Sequence, residues 1–439
     1  MEQTRKHFSQ DYLLEEVRKS FSKGLKREQL EDSKKAEFSN LDCLMAGLSV
    51  FTFKYPSLLQ FDQDRTESKV LKQNLKNLFK IENVPCDTQM RTRLDTLSPD
   101  VSRPAFQRLF TLLQRAKVLE HFKFIDGNYL ISLDGTGIFS SSTIHCQNCC
   151  VKEHRNGTKT YYHQVLGAAL VHPDQSVVFP FAAEPIIKSD GQEKNDCERN
   201  AAKRWLKDFR REHPHLQATV VADGLSSNAP FILELLKNHL NFILVAKEAD
   251  HKFLFDWFNS AGQEDAPCFE SKEKQVLKTY QYMNNVPLND SNFNVRVNVV
   301  RYTATENSIT RTWVWVTNLS VSPKNIKDIV KGGLARWKIE NETFNTLKNQ
   351  GYQFERNFGH GDKNLSTIFA QLMLLAFFID QCLRHLNKRF QQAYAKVGSL
   401  RSLWHKMLAL LYLAEIPDFE TLYETLIDPP VFKINAVSR

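Results

Sequence analysis

Two apolar runs of the sequence each end in the pair Asp-Gly, and strand-like and helical patterns alternate around them. The first run ends at Asp134 and the second at Asp223. From 123 to 249, three strand-like runs joined by short links precede a helix, a strand, a helix and a strand. Short links favour antiparallel neighbours, whereas helical crossovers favour parallel ones. This order predicts an α/β fold with an RNase H-like mixed five-stranded sheet flanked by helices. The predicted strands are 130–133, 161–171, 177–182, 218–222 and 242–246, and the predicted helices between them are 197–212 and 230–239.

The rest of the chain is predicted to form four further parts. Residues 1–122 are read as a helical N-terminal region for DNA binding or dimerisation, with a helical packing domain as the alternative. Residues 250–320 carry polar strand patterns and are read as a β-rich insertion. Residues 321–362 are read as the second part of the sheet domain, with Glu340 on a helix. Residues 363–439 are read as a helical C-terminal region whose apolar run 368–379 is a buried core helix, because it is short for a membrane span and charge follows it.

Composition and charge narrow the class of protein. The 439 residues are enough for two or three domains. A net charge of +8 is compatible with a polyanionic partner such as DNA. Eight cysteines are too few for a disulfide scaffold and fit a reducing compartment. With no run of about 18 apolar residues and no secretory segment near the N-terminus, we expect a cytoplasmic protein without a membrane partner.

Three carboxylates stand in contexts that suit a metal site. Asp134 and Asp223 follow predicted strands, and Glu340 lies in a predicted helix. Such carboxylates can converge on a pair of Mg²⁺ ions, which prefer oxygen ligands. Each aspartate has an alternative role as a turn or cap residue, since Asp-Gly is common at strand ends. Glu342 competes with Glu340, but the two point about 200° apart on an α-helix, so only one should face the metals, and we favour Glu340.

The sequence around these residues resembles bacterial insertion-sequence transposases of the DDE class, in the group that has a β-strand insertion domain. The resemblance covers most of the chain. It is carried by Leu133-Asp134-Gly135-Thr136-Gly137, by Ala222-Asp223-Gly224, by the stretch from Arg336 to Lys348, and by Asn357-Phe358-Gly359-His360-Gly361. In that group a helix with Arg, Trp and Glu at this spacing follows the insertion and supplies the third carboxylate. The sequence departs from the group at Gly333, where Tyr is expected, and at Leu347, where Lys is expected; Lys348 comes one position late.

The resemblance implies a DNA transposase that cleaves element ends and joins the freed 3′-OH to target DNA. It implies two Mg²⁺ ions, for which Mn²⁺ can substitute, held by Asp134, Asp223 and Glu340, with Asp134 bridging them. The implied partners are element-end and target DNA, bound by a homodimer, in a nucleoid-associated bacterial protein. Lys338, Lys348 and Arg336 are expected to contact DNA phosphates or the active site. Core packing is the favoured role of Trp337.

Two other functions and one further metal site stay open at this point. A catalytically inactive DNA-binding regulator derived from a transposase and a metal-dependent nuclease of the same fold are the alternatives. The spacing of Cys146 and Cys149 is that of half a zinc site. A structural zinc would take its further ligands from Cys150 and Cys197 or from nearby histidines, and incidental thiols are the alternative.

Overall fold

The computed structural model describes residues 8–32, 37–191, 194–262, 264–273 and 275–431. The chain divides into two compact units. The first unit takes in Met1–Ala116, Ile144–Gln147 and Asn345–Arg439, and the second takes in Lys117–Thr143 and Asn148–Phe344. The segments predicted as separate N-terminal (1–122) and C-terminal (363–439) regions therefore belong largely to one unit, because their helices pack together into a shared core.

The first unit is helical in the residues that the structure describes. With helices numbered in chain order, it contains α1 (Gln10–Arg27), α2 (Asn40–Thr52), α3 (Leu58–Glu67), α4 (Lys69–Phe79), α5 (Asp87–Asp95), α6 (Arg103–Arg115), α11 (Asn345–Asn349), α12 (Leu365–Leu386), α13 (Lys388–Val397), α14 (Leu400–Leu413) and α15 (Phe419–Ile427). Asp95 connects the N-terminal and C-terminal helices of this unit, because its carboxylate accepts hydrogen bonds from the backbone N–H groups of residues 362–365. These donors lie at the start of α12, where a helix has no partners of its own for its first N–H groups.

Helix α12 contains the apolar run that was predicted to be a core helix. Its length and composition alone would allow it to cross a membrane, but 94% of its most apolar stretch is buried. It also carries a buried ion pair, in which Asp380 accepts a hydrogen bond from Lys54 at 2.7 Å. Both side chains are 3% exposed. The ammonium group lies 4.2 Å from the ring centroids of both Tyr352 and Trp404, so two aromatic faces and one carboxylate replace its water.

The second unit is built on one mixed sheet of eleven strands. The strands are β1 (Tyr129–Ser141), β2 (Cys150–Glu153), β3 (Lys159–Val171), β4 (Phe179–Pro180), β5 (Glu184–Ile186), β6 (Ala218–Ala222), β7 (Asn241–Val245), β8 (Cys268–Glu273), β9 (Val276–Pro287), β10 (Arg296–Glu306) and β11 (Ile309–Thr317). Its helices are α7 (Lys194–Glu212), α8 (Ala229–Lys237), α9 (Lys252–Ser260) and α10 (Ile326–Leu334), followed by a π-helical turn, Ile339–Phe344.

The strand order runs β2-β3-β1-β6-β7-β11-β10-β9-β8, with β4 and β5 also paired to β3. Strand β1 is antiparallel to β3 and parallel to β6, and β6 is parallel to β7. Helix α7 leads from β5 to β6 and helix α8 leads from β6 to β7, as parallel connections require. These directions follow the short links and helical crossovers that the sequence predicts, and the α/β class with a mixed sheet is confirmed.

The sheet differs from the predicted one in two respects. In place of the third predicted strand, 177–182, the structure has two short strands, β4 within that range and β5 just beyond it; Pro180 and Pro185 lack the N–H that a continuous ladder needs. The predicted insertion also does not form a sheet of its own. Strand β11 pairs antiparallel with β7, placing Trp315 opposite Val245, so the four insertion strands extend the main sheet.

Candidate active site

The first two carboxylates are adjacent because of the register between β1 and β6. The last pair in this parallel ladder is Ser132 with Val221. Asp134 and Asp223 each follow two residues later, so they occupy equivalent positions on neighbouring strands. Side chains two residues apart on a strand share a face, and neighbouring strands lie about 4.8 Å apart. The two carboxylates therefore meet where the β1–β6 ladder ends. Strand β1 itself continues to Ser141, so the prediction that Asp134 follows the end of its strand is wrong.

The third carboxylate lies on the π-helical turn, which packs against β1 and β3. The Ser132 hydroxyl donates a buried hydrogen bond of 2.9 Å to the Arg336 carbonyl, which fixes the start of this segment on β1. The far end of the turn is fixed on β3 by Phe344. A Cβ atom on Gly167 would lie 2.7 Å from the Phe344 ring, so only glycine leaves room for it.

Gly167 is also the cross-strand partner of Asp134. The contact that seats the π turn therefore lies directly beside the first carboxylate. The sequence predicts an α-helix here, but six residues from Ile339 to Phe344 form a π turn, a geometry that occurs often at functional sites. Glu340 is half-buried on this turn.

The electrostatics of Asp134 show that the three acids lie close together. Burial, together with the negative charges of Asp223 and Glu340, raises the pKa of Asp134 to about 6, although Arg336 acts in the opposite direction. A carboxylate beside two others resists ionisation in this way until a cation compensates the charge. The charge of Glu340 acts on Asp134, and the choice of Glu340 over Glu342 stays a prediction.

Asp223 combines the two roles that the sequence left open. Its Oδ1 atom accepts a hydrogen bond of 3.0 Å from the Leu225 N–H and caps the short turn that follows β6. Ser227 stabilises the end of this turn by donating to the Gly224 carbonyl and contacting the His251 Nε2 atom at 2.8 Å. Asp223 is therefore a cap residue that also faces Asp134, since its charge raises the pKa of that residue.

A polar cleft of about 630 Å³ opens over Asp134 and Asp223. Its other lining residues are Gly135, Glu198, Arg199, Gly224, Leu225, Ser227, Asn228, Lys247, Asp250, His251 and Asn289. Lys247 packs its methylene groups against Gly224, where a Cβ atom would lie 3.1 Å from Cε. A floor of carboxylates with Arg199 and Lys247 on its walls suits a phosphate backbone held beside metal ions.

The predicted DNA-contacting residues have different surroundings. Arg336 is 7% exposed and lies 4.0 Å from the centroid of the Trp337 ring, so it is an active-site group that acts on Asp134. Trp337 itself is 46% exposed, and the prediction that it packs in the core is wrong. It lies on the outer side of its helical segment, and its ring covers the buried guanidinium of Arg336. Lys338 donates to the Gln175 carbonyl at 2.5 Å. Lys348 belongs to the first unit, where it pairs with Glu355 at 2.8 Å.

One departure from the transposase pattern has a steric explanation. A Cβ atom on Gly333 would lie 2.5 Å from the ring of Trp315, which is buried on β11. Helix α10 therefore packs its backbone directly on this ring, and a tyrosine at position 333 would not fit. The other departure, Leu347, is fully buried in the first unit. A lysine at this position could not place its charge at the surface of the unit.

Two of the cysteines predicted to bind zinc each lie near a histidine of their own unit. In the second unit the Cys149 sulfur lies 3.4 Å from the His163 Nε2 atom. Cys150 points elsewhere, as expected for the next residue on an extended chain, and burial together with Cys197 raises its pKa to about 11. In the first unit the Cys146 sulfur lies within 4.8 Å of a ring nitrogen of His360. Each Cys-His pair offers two of the four ligands of a structural zinc, and the zinc centre stays a prediction.

Sequence reasoning missed Glu198, Arg199 and Lys247, which line the cleft. The two-residue offset after paired strands is visible in the sequence and led to Asp134 and Asp223. The turn of α7 that reaches the end of β1 depends on how the helix packs across the sheet. No spacing in the sequence links that turn to the carboxylates.

The donor set fits Mg²⁺ or Mn²⁺. Asp134, Asp223 and Glu340 offer only carboxylate oxygens, which these hard ions prefer over nitrogen or sulfur. Burial and, to a lesser extent, the charges of Asp223 and Glu340 raise the pKa of Asp134, and a bound cation would favour its ionised form. The residues present are therefore sufficient to hold such ions, with phosphate oxygens and water completing the coordination.

Replacement of Gly167 by alanine is expected to impair the site. The added methyl would lie 2.7 Å from the Phe344 ring and push the π turn off the sheet, so Glu340 would lose its position opposite Asp134. We expect Mg²⁺-dependent activity to fall by about 100-fold, in keeping with small displacements in active sites. The control is Gly137→Ala on β1, where no atom lies within 4 Å of the added Cβ. Equal activity of the two variants, measured at matched folded fractions, would contradict the role given to Phe344.

Comparison with known proteins yields a structural similarity but no match by sequence. No protein-family profile matches the chain, and no curated protein sequence matches it significantly. Among solved structures, it is similar to the cryo-EM structure of a piggyBac transposase synaptic complex with hairpin DNA. The TM-score is 0.39 at 10% sequence identity, over 98% of this chain and 82% of that chain. At this TM-score the similarity carries no conclusion about fold or activity, which leaves the geometry of the site as the basis for the function.

Proposed function

We propose that the protein is a DDE-type DNA transposase that cleaves DNA at the ends of an insertion element and transfers the 3′-OH to target DNA. The observation that carries this proposal is the convergence of Asp134, Asp223 and Glu340 at one end of the sheet, beside a polar cleft with basic walls. The strands β1, β3, β6 and β7 with the divided third strand would then correspond to an RNase H-like core. The transposase resemblance of the Asp134, Asp223 and Glu340 segments supports the same reading.

The chemistry would be phosphodiester hydrolysis followed by transesterification. Two Mg²⁺ ions, or Mn²⁺, would activate the attacking water or hydroxyl and stabilise the leaving oxygen. The charges of Asp223 and Glu340 both act on Asp134, and the three carboxylates would together hold the ions. Asp223 is preset for this task, because its hydrogen bond to the Leu225 N–H fixes its side chain.

The positively charged side chains near the site would have two different roles. Arg336 lies under its tryptophan neighbour and would restrain the charge of Asp134 before the ions arrive. Arg199 and Lys247 line the cleft and would neutralise phosphates of the bound strand. Transposition aligns two DNA ends, so we expect a homodimer on DNA.

The test of this proposal compares the two candidate glutamates. Purified protein and DNA carrying the terminal sequences that flank its gene are assayed for strand cleavage and joining in Mg²⁺ or Mn²⁺. Glu340→Gln is expected to lower both rates by about 10³-fold, since loss of a metal ligand removes several kcal/mol of transition-state stabilisation. Glu342→Gln, which removes the same charge two residues away, is expected to stay within about threefold of the native rate.

The outcome separates the proposal from its two alternatives. Joined products from the native protein but not from Glu340→Gln would establish a metal-dependent transposase. Cleavage without joining would indicate a nuclease. Tight binding of the ends with no cleavage by the native protein would indicate a regulator.

A further inference from the structure

A fourth carboxylate, Glu198, lies beside the three acids of the site. Helix α7 carries it near its N-terminal end, and it lines the same cleft as Asp134 and Asp223. Its carboxylate lies against the backbone of Gly135, the residue after Asp134. A Cβ atom on Gly135 would lie 2.9 Å from both Cδ and Oε2 of Glu198.

Glycine at position 135 makes this approach possible. The backbone of Gly135 belongs to an ordinary strand segment that pairs with Leu166 on β3, so its conformation does not demand glycine. What glycine provides is space, since any side chain there would occupy the position of the Glu198 carboxylate. The strand thus comes close to the helix at the residue that follows the first metal-binding aspartate.

The helix that carries Glu198 is also tied to the second aspartate. Arg199, the next residue, donates from Nε to the Leu225 carbonyl at 3.5 Å. Leu225 is the residue whose N–H donates to the Asp223 carboxylate. The first part of α7 therefore contacts β1 at Gly135 and the turn after β6, and it places Glu198 beside both.

The charge of such a site calls for cations. Asp134, Asp223 and Glu198 line the same cleft, so with Glu340 the site would hold four acids. Two divalent ions carry four positive charges, which four carboxylates would balance before any phosphate enters. A carboxylate held by packing near a metal site acts either as a ligand or through a bound water.

We propose that Glu198 is a fourth acidic ligand of the metal site, acting with Asp134 on one of the two ions. This inference rests on the proposed function and adds a residue that neither the strand ends nor the transposase resemblance identifies. It predicts that metal affinity depends on Glu198 even when no DNA is present.

The experiment measures Mn²⁺ binding to the full chain without DNA, by electron paramagnetic resonance of the free ion and by calorimetry. Glu198→Gln is expected to weaken Mn²⁺ binding by about tenfold or more, since even outer carboxylates of metal sites change affinity by about 10–100-fold. The control is Glu212→Gln, which removes the same charge about 21 Å further along the same helix. It is expected to bind Mn²⁺ as the native protein does.

A second variant tests the geometry rather than the charge. Gly135→Ala keeps every acid but pushes the flexible end of Glu198 away, so we expect weaker Mn²⁺ binding with an unchanged melting temperature. Gly137→Ala, with no atom within 4 Å of its added Cβ, is the matched control. DNA cleavage is then measured on the same set of proteins.

The outcomes distinguish the role of Glu198 from the proposed function. Suppose that the native protein cuts DNA and that Glu198→Gln and Gly135→Ala both bind Mn²⁺ and cleave DNA as the native protein does. This result would overturn the role of Glu198 and leave the proposed function standing. A native protein that neither binds Mn²⁺ nor cuts DNA would overturn both. Weak binding by both variants and native binding by both controls is the result expected.

Discussion

Asp134→Asn is expected to abolish DNA cleavage and joining while making the metal-free protein more stable. The variant loses the carboxylate on which the charges of Asp223 and Glu340 act, and a loss of about 10³-fold or more is expected when a proposed metal ligand is removed. Binding of DNA ends should be largely retained, because the basic residues of the cleft are unchanged. Strand cleavage, strand joining and end binding are measured on the same preparations.

The stability half of this prediction follows from the pKa of Asp134. Burial and the neighbouring acids raise it from 3.8 to about 6 in the folded protein. The folded state therefore binds the proton more tightly than the unfolded state, and Asp134 lowers the free energy of unfolding as the pH rises from about 4 to above 6. Asparagine carries no charge, so the variant is expected to be about 1–3 kcal/mol more stable than the native protein at pH 8 without metal.

The pH dependence supplies the internal control. Near pH 4 the aspartate is protonated in the folded state, and native and variant proteins should differ little in stability. The difference should appear between about pH 4 and pH 6 and then stay constant. Added Mn²⁺ should reduce it by stabilising the native protein alone. A variant that is less stable than the native protein at pH 8 in a chelating buffer would show that Asp134 has a structural role instead.

Lys54→Met is expected to cause the largest loss of stability in the first unit. It removes the cation from a pair whose side chains are both 3% exposed and leaves Asp380 buried without its partner. The hydroxyl of Tyr352 still donates to that carboxylate, but one neutral donor does not replace an ammonium group. Removal of one partner from a buried ion pair typically costs about 3–5 kcal/mol, and we expect a loss of this size in urea unfolding.

Two companion variants show whether the cost comes from the unpaired charge. Lys76→Met breaks an ion pair with Glu82 whose side chains are 53% and 65% exposed, and a change below about 1 kcal/mol is expected. The double variant Lys54→Met with Asp380→Leu removes both buried charges and is expected to recover about half of the loss or more, because buried pairs are often replaceable by apolar residues. Equal losses in the single and double variants would mean that packing around the two aromatic rings, not charge, sets the cost.

Features that depend on a local sequence pattern could be predicted from the sequence. Features that depend on packing between distant residues could not. The apolar runs before Asp134 and Asp223 and the crossovers between them were enough to predict a mixed sheet. The parallel register that brings these residues together follows from that topology. The π turn was not predictable, because it differs from an α-helix by how Phe344 is accommodated on Gly167, across the sheet.

Two other features could not be predicted from sequence patterns. Strands β8 to β11 show the alternation of an ordinary β insertion, but nothing in their sequence states that β11 pairs with β7. Glu198 looks like any surface acid of a charged helix. Its position becomes informative only when Gly135 is seen to leave space for it, which is a relation between residues that are far apart in the chain.

The pairing of β11 with β7 has a mechanical consequence. Because Ile243, Leu244 and Val245 are paired in register with β11, the insertion strands cannot move over the cleft without breaking the backbone ladder in the middle of the sheet. The part of the cleft that Asn289 of the insertion lines is therefore held in place by the sheet. Under the proposed function, an entering DNA strand would have to bend or unpair to fit it, so the flexibility would come from the DNA.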